Sequence, residues 1–215
     1  MTDSLELVDT LKELISGRKY ADIRKILDDC QPADIALLED ELNKNEFIML
    51  FRLLPKEPAA EVFVEMDPDK QKQLIDSFSD AELKEVFDEL YYDDTVDIIE
   101  EMPANVVSRI LKNASPTMRK TVNELLKYPE DSAGAVMTTE YVLLKENLTV
   151  DGALQYIRKT ALDKETIYTC YVTDANRHLI GLITAKTLLI SPATAVIGDI
   201  MDTNIISMTT LRPLA

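Results

Sequence analysis

Apolar side chains recur every twelve residues from Cys30 to about Lys127, and this spacing limits the possible fold more than any other feature of the chain. One column on that period reads Leu42, Leu54, Met66, Phe78, Leu90, Met102, Ala114 and Leu126. A second reads Ile26, Leu38, Leu50, Val62, Leu74, Val86, Ile98, Ile110 and Val122. Beside it stand Leu27, Phe51, Phe63, Ile75, Phe87, Ile99 and Leu111, with Glu39 and Asn123 as departures. Helix starters separate the units: Pro32, Pro55, Asp67-Pro68, Ser79-Asp80, Asp93-Asp94, Pro103 and Ser115-Pro116. Each unit therefore reads as an amphipathic helix of roughly two turns followed by a turn. Helices this short are marginal alone, so each must bury its apolar edge against the copies before and after it, as in a helical solenoid. An irregular bundle with accidental spacing is the alternative, and three columns that keep phase weigh against it. Ahead of the array, Leu5, Val8, Leu11, Leu14 and Ile15 have helical spacing up to a stop at Gly17, and a second helix over 20–29 completes a starting cap.

Past Lys127 the pattern changes. Tyr128-Pro129-Glu130-Asp131-Ser132-Ala133-Gly134 is rich in turn formers. The pattern then predicts a strand over 141–144, a helix over 150–160, a strand over 166–172, a turn at Asp174-Ala175-Asn176, a strand over 179–184 and a short helix over 185–189. This is a small α/β unit, and the expected division is 1–127, 128–204 and 205–215. Residues 205–210 read as a strand opening a further unit, so the chain is expected to be part of a longer protein.

Charge is concentrated in the array. Residues 57–101 hold 16 Asp or Glu and three bases, Lys70, Lys72 and Lys84, within a chain whose net charge is −16. From Tyr128 onward there are ten acids and seven Lys or Arg. A pI near 4.5 argues against nucleic acid and anionic membranes as partners, and favours cations or basic protein surfaces. The densest carboxylates are Asp93, Asp94 and Asp97, helical neighbours at i,i+3 and i,i+4. Two such charges about 6 Å apart cost roughly 0.7 kcal/mol in water before screening, a cost that a divalent cation removes. Capping of a helix start by Asp93 and Asp94 is the other reading of the same residues. The cysteines, Cys30 and Cys170, stand far apart in apolar settings and read as two buried, reduced thiols of a cytosolic protein. No apolar run reaches membrane-spanning length and no secretory leader opens the chain.

Two resemblances follow from particular residues. The order strand, helix, strand, strand, helix, with Gly181-Leu182-Ile183-Thr184 and then Asp199-Ile200-Met201, resembles a CBS motif, normally one of a tandem pair. The junction Tyr128-Pro129-Glu130-Asp131-Ser132-Ala133-Gly134-Ala135-Val136-Met137-Thr138 behind a twelve-residue array resembles the cytosolic part of an MgtE-type magnesium transporter. Leu53-Leu54-Pro55-Lys56, Ala59-Ala60-Glu61-Val62 and Glu165-Thr166-Ile167-Tyr168 are similar as well. The resemblance implies an α plus α/β architecture: an all-helical right-handed superhelix followed by an incomplete CBS domain. It implies a regulatory Mg2+ sensor at the cytoplasmic face of the membrane, with Glu61, Asp93, Asp94 and Asp97 as metal ligands. Its partners would be a second CBS motif, a transmembrane pore and a second copy in a homodimer.

The CBS resemblance also implies a nucleotide site, with Thr184 and Lys186 as its candidates. There an acid is expected to follow the Gly-x-x-Thr stretch and hold the ribose, and Thr187 stands instead, so weak ATP binding is expected. A structural strand end is the plain alternative for Thr184. His178 is the single histidine and reads as a turn residue, without the partners that zinc or a catalytic dyad requires. No phosphate loop, nucleophile elbow or metalloprotease motif is present, so an enzyme is not expected. Two rivals to the sensor remain: a helical-repeat scaffold for a basic protein and an adenine-nucleotide-sensing module.

Overall fold

The computed structural model describes residues 2–214. Two helices, α1 (Thr2–Ser16) and α2 (Tyr20–Asp28), precede the array. The array itself comprises α3 (Pro32–Glu41), α4 (Lys44–Phe51), α5 (Lys56–Val64), α6 (Pro68–Ser77), α7 (Asp80–Glu89), α8 (Tyr92–Glu100), α9 (Ala104–Asn113) and α10 (Pro116–Leu125). From α3 to α10 every helix begins twelve residues after the one before it. The second apolar column is buried without a break from Leu38 to Val122, because it falls on the inward edge of each helix. The first column falls at or just past the helix ends: Leu42, Phe78, Leu90 and Ala114 are C-cap residues and all are buried. Alternate helices stack, α3 on α5, α5 on α7 and α7 on α9.

All five phenylalanines of the chain join one run of ring contacts in this unit. Phe51 lies 6.4 Å from Phe47, 6.5 Å from Phe63 and 5.6 Å from Phe78, and Phe63 lies 5.9 Å from Phe87. Full burial of such a side chain contributes about 1.5–3 kcal/mol. The Phe column therefore ties together helices that could not stand singly.

Local signals set the helix ends. Asn43 and Ser79 each form a capping box, with Glu46 and Glu82 returning a carboxylate to the cap backbone. The Asn43 box was not among the sequence starters, although Asn-x-x-Glu carries it. Asp93-Asp94 was expected to start a helix, but α8 begins at Tyr92 and both acids lie inside its first turn. At the end of α1, Lys19 N–H donates to the Leu14 carbonyl and Arg18 N–H to that of Ile15. This is a Schellman ending with Arg18, not Gly17, in the left-handed region at φ 53°.

The second part carries β1 (Tyr141–Lys145), α11 (Val150–Thr160), a 3₁₀ turn (Ala161–Asp163), β2 (Thr166–Thr173), β3 (Leu179–Thr184), α12 (Ala185–Ile190) and α13 (Ile197–Ile200). The sheet order is β1-β2-β3, with β1 parallel and β3 antiparallel to β2. Val142 pairs with Cys170 and Leu144 with Val172, and Ile183 pairs with Cys170 from the other side. Alternation sends these five side chains to one face, where Ala153, Ile157, Leu188 and Ile197 cover them. Among the described residues two compact units result, one of residues up to 90 with 94–123, the other of 91–93 with those from 124 onward.

Two sequence expectations change. Residues 205–210 form no strand; Ile206 is 96% exposed, and backbone pairing begins only where Gly134 N–H meets the Thr210 carbonyl. A strand needs a ladder to pair with, and over 205–208 no backbone bond supplies one among the described residues. Both cysteines are free, but only Cys170 is buried; Cys30 is half-exposed at the turn after α2. Among the described residues no helix is long and apolar enough to cross a membrane.

Candidate functional site

The acid-rich residues lie on α5 to α8, and packing decides which carboxylates face outward. On α5, Ala59, Ala60, Val62 and Phe63 are buried, which leaves Glu57, Glu61 and Glu65 exposed at i,i+4 spacing. On α8, Thr95, Val96, Ile98 and Ile99 are buried, which turns Asp97 outward and leaves Asp93 and Asp94 half-buried. In that first turn the helix dipole favours both carboxylates. Asp97 reaches solvent, yet the protein packed around its carboxyl raises its pKa by desolvation.

The few cations are distributed elsewhere. Lys70 meets Asp40 at 3.2 Å, Lys72 meets Asp76 at 3.2 Å, and Lys84 pairs with Asp88. Arg52 reaches Glu82 at 2.7 Å, Lys56 reaches Glu85 at 3.5 Å, and Arg109 reaches Asp80 at 2.9 Å. Glu82 is held below the ordinary carboxylate range, first by the Ser79 backbone N–H, and Asp80 likewise by Arg109. None of these pairs involves Glu61 or Asp97.

Among the described residues no group of three or more His, Cys, Asp or Glu side chains converges to hold a metal. Glu61, Asp93, Asp94 and Asp97 thus include no convergent set of three. Magnesium commonly takes one or two carboxylates and keeps several waters, so donors of this kind fit a hydrated ion whose shell is completed by other groups.

In the second unit Thr184 ends β3 and is the N-cap of α12: its hydroxyl accepts from Thr187 N–H at 3.1 Å and lies 2.9 Å from the Thr187 hydroxyl. The hydroxyl of the candidate Thr184 is thus engaged with Thr187, the residue that stands where an acid was expected, while the other candidate, Lys186, is exposed. His178 closes a turn on Asp174, 3.0 Å from its carboxylate, which also accepts the His178 and Asn176 backbone N–H groups.

Sequence reasoning missed the arginines. Arg109 donates to the Ile75 and Phe78 carbonyls at 2.9 and 2.6 Å besides Asp80, so a single α9 side chain closes the end of α6 and the start of α7.

Together these features define a protein class: an acid-faced helical-repeat domain joined in one chain to a β-α-β-β-α unit. Residues 30–131 match the family model of the MgtE intracellular N domain, and residues 133–192 match that of the CBS domain. The magnesium transporter MgtE of Thermus thermophilus is 32% identical over 95% of this chain and 46% of its own length. The magnesium transporter MgtE of Bacillus subtilis is 25% identical over 96% and 46%. A crystal structure of the cytosolic domain of the Mg2+ channel MgtE in complex with ATP superposes with a TM-score of 0.88 at 30% identity, covering 96% of this chain and 84% of that one. This chain belongs to the MgtE family, as an intracellular N domain followed by a CBS domain. It spans a little under half the length of the two whole transporters.

Proposed function

We propose that the chain is the magnesium-sensing regulatory region of a magnesium transporter or channel, placed at the cytoplasmic face of the membrane and gating ion flux. The observation that carries this reading is the set of exposed carboxylates on α5 to α8, in particular Glu61 and Asp97, which no ion pair neutralises among the described residues. Carboxylates on that face repel one another and so favour separated surfaces. Bound magnesium supplies the opposite charge, and a compact form that binds it more tightly gains population as the ion becomes plentiful. Glu61, Asp93, Asp94 and Asp97 are the ligands this chain would contribute. A second CBS motif and the helix joining it to the pore would contribute the rest.

The test compares thermal stability in millimolar magnesium with that in sodium chloride of matched ionic strength, because salt alone screens repulsion over about 8 Å. Asp93, Asp94 and Asp97 changed together to Asn keep size and much capping ability. That variant is expected to start at least as stable without metal and to lose most of the magnesium-specific gain. Equal magnesium responses in parent and variant would refute the assignment.

A nucleotide reading of the second unit draws on the related cytosolic domain solved with ATP. Lys186 is the residue open to a phosphate, whereas Thr184 and Thr187 are engaged with each other. Weak ATP binding is therefore expected in calorimetry, and tight, saturable binding would favour nucleotide sensing here.

A further inference from the structure

The helical unit holds a cavity of about 280 Å³ that the magnesium reading does not use. Its apolar lining includes Phe51 and Phe78, whose rings lie 5.6 Å apart, with Ala59 and Val86. Whole small ligands generally occupy about 300–1,000 Å³. This volume falls below that range and suits one bulky side chain.

The two ion pairs at its edge differ in how firmly they are held. The Glu82 carboxylate receives Arg52 while also accepting the Ser79 backbone N–H and hydroxyl, each at 2.8 Å, and Arg52 reaches the Ser77 carbonyl at 3.3 Å. That wall is tied into a helix cap. Lys56 and Glu85 meet at 3.5 Å with side chains 60% and 58% exposed, and among the described residues neither side chain forms another hydrogen bond. Exposed pairs of this kind contribute at most about 1 kcal/mol, so an incoming cation can exchange for Lys56. The lining itself is balanced, Arg52 and Lys56 against Glu82 and Glu85, but it sits in a chain of net charge −16, which attracts positive charge and repels negative.

We propose that this cavity receives a bulky apolar side chain from a basic amphipathic helix of a partner protein, with an arginine or lysine of that helix taking Glu85 in place of Lys56. An apolar anchor in a pocket beside a charged contact is a common form of helix recognition. The inference is independent of the magnesium site, and its test is run in metal-free buffer.

The probe is a fluorescein-labelled amphipathic helix of leucine, lysine and a single tryptophan, followed by anisotropy against the whole 215-residue chain. Saturable binding is expected, with no binding of the counterpart in which glutamate replaces lysine. Ala59→Leu fills the cavity and should weaken affinity about tenfold or more, and Glu85→Gln several-fold, roughly 1 kcal/mol. Methyl NMR of the parent decides the matter even if Ala59→Leu fails to fold: Leu54, Ala59 and Val86 methyls should shift on binding. Unchanged affinity in a folded Ala59→Leu variant would overturn the proposal. So would methyl shifts confined to other surfaces, or no binding at all.

Discussion

Gln71 donates its side-chain amide to the Phe63 carbonyl at 2.9 Å from a position only 4% exposed. Arg119 makes the equivalent bond to Leu111 at 2.8 Å, again eight residues upstream and at the same place in the twelve-residue unit. The C-terminal carbonyls of one helix are thus satisfied by the fourth residue of the next, where most units place an apolar side chain. Gln71→Leu keeps the volume but removes one of the donors to the Phe63 carbonyl, which still accepts the Met66 N–H at 3.3 Å. It is expected to cost about 1 kcal/mol, one net hydrogen bond, in denaturant unfolding. Gln73→Leu, exposed on the same helix, should stay within about 0.5 kcal/mol of the parent.

Glu82 and Asp97 should respond to pH in opposite directions. The Glu82 pKa lies below its ordinary value of 4.5, first because the carboxylate accepts the Ser79 backbone N–H. Its stabilisation is full above the unfolded value and is lost as pH falls through the folded one. Glu82→Gln should therefore be less stable than the parent at neutral pH, with the gap closing in acid.

The Asp97 pKa lies above its ordinary value of 3.8 because burial disfavours the charged form. Folding then favours the protonated acid, and that contribution disappears as pH rises through the folded value. Asp97→Asn is expected to be more stable than the parent at neutral pH and to match it in acid. Urea midpoints across pH measure both variants, and parallel parent and Asn curves would contradict the desolvation of Asp97.

In the second unit a Cβ at Gly181 would lie 2.6 Å from Met201 Sδ and 2.9 Å from the Asp202 carbonyl oxygen. The sulfur can move, but Asp202 is bonded in both directions to Leu182, at 2.9 and 2.8 Å. Gly181→Ala should therefore destabilise this unit by about 1–3 kcal/mol, the usual cost of overpacking. Thermal unfolding followed by the near-ultraviolet signal of the sheet tyrosines Tyr141 and Tyr171 reads it directly.

Burial pushes the Cys170 thiol up to about 11, and the side chain is fully enclosed. Cys30 is also raised, by burial first and then by Asp34 and Asp29, but remains half-exposed. A disulfide-exchange reagent at mildly alkaline pH should titrate Cys30 slowly and leave Cys170 untouched until the protein is unfolded. Prompt reaction of both thiols would show that the sheet opens more readily than its packing implies.

The twelve-residue period determined the helical array, because only one phase buries all three apolar columns, and the helix starts from Pro32 to Pro116 follow it. Alternation in Val142, Leu144, Cys170, Val172 and Ile183 likewise determined the sheet and its buried face. The family resemblance, rather than residue type, singled out Glu61, Asp93, Asp94 and Asp97 among the 39 acids as candidate oxygen donors. Their exposure and spacing in space depend on which residues α5 and α8 bury, which only packing decides. Tertiary structure also decided the start of α8 at Tyr92, the left-handed Arg18 and the absence of a strand over 205–208, since backbone groups take whatever partners the folded chain brings near. The guanidinium of Arg109 shows the same limit. Its sequence position gives its charge, but the carbonyls it satisfies lie 34 and 31 residues away and become its neighbours only when α9 stacks on α7.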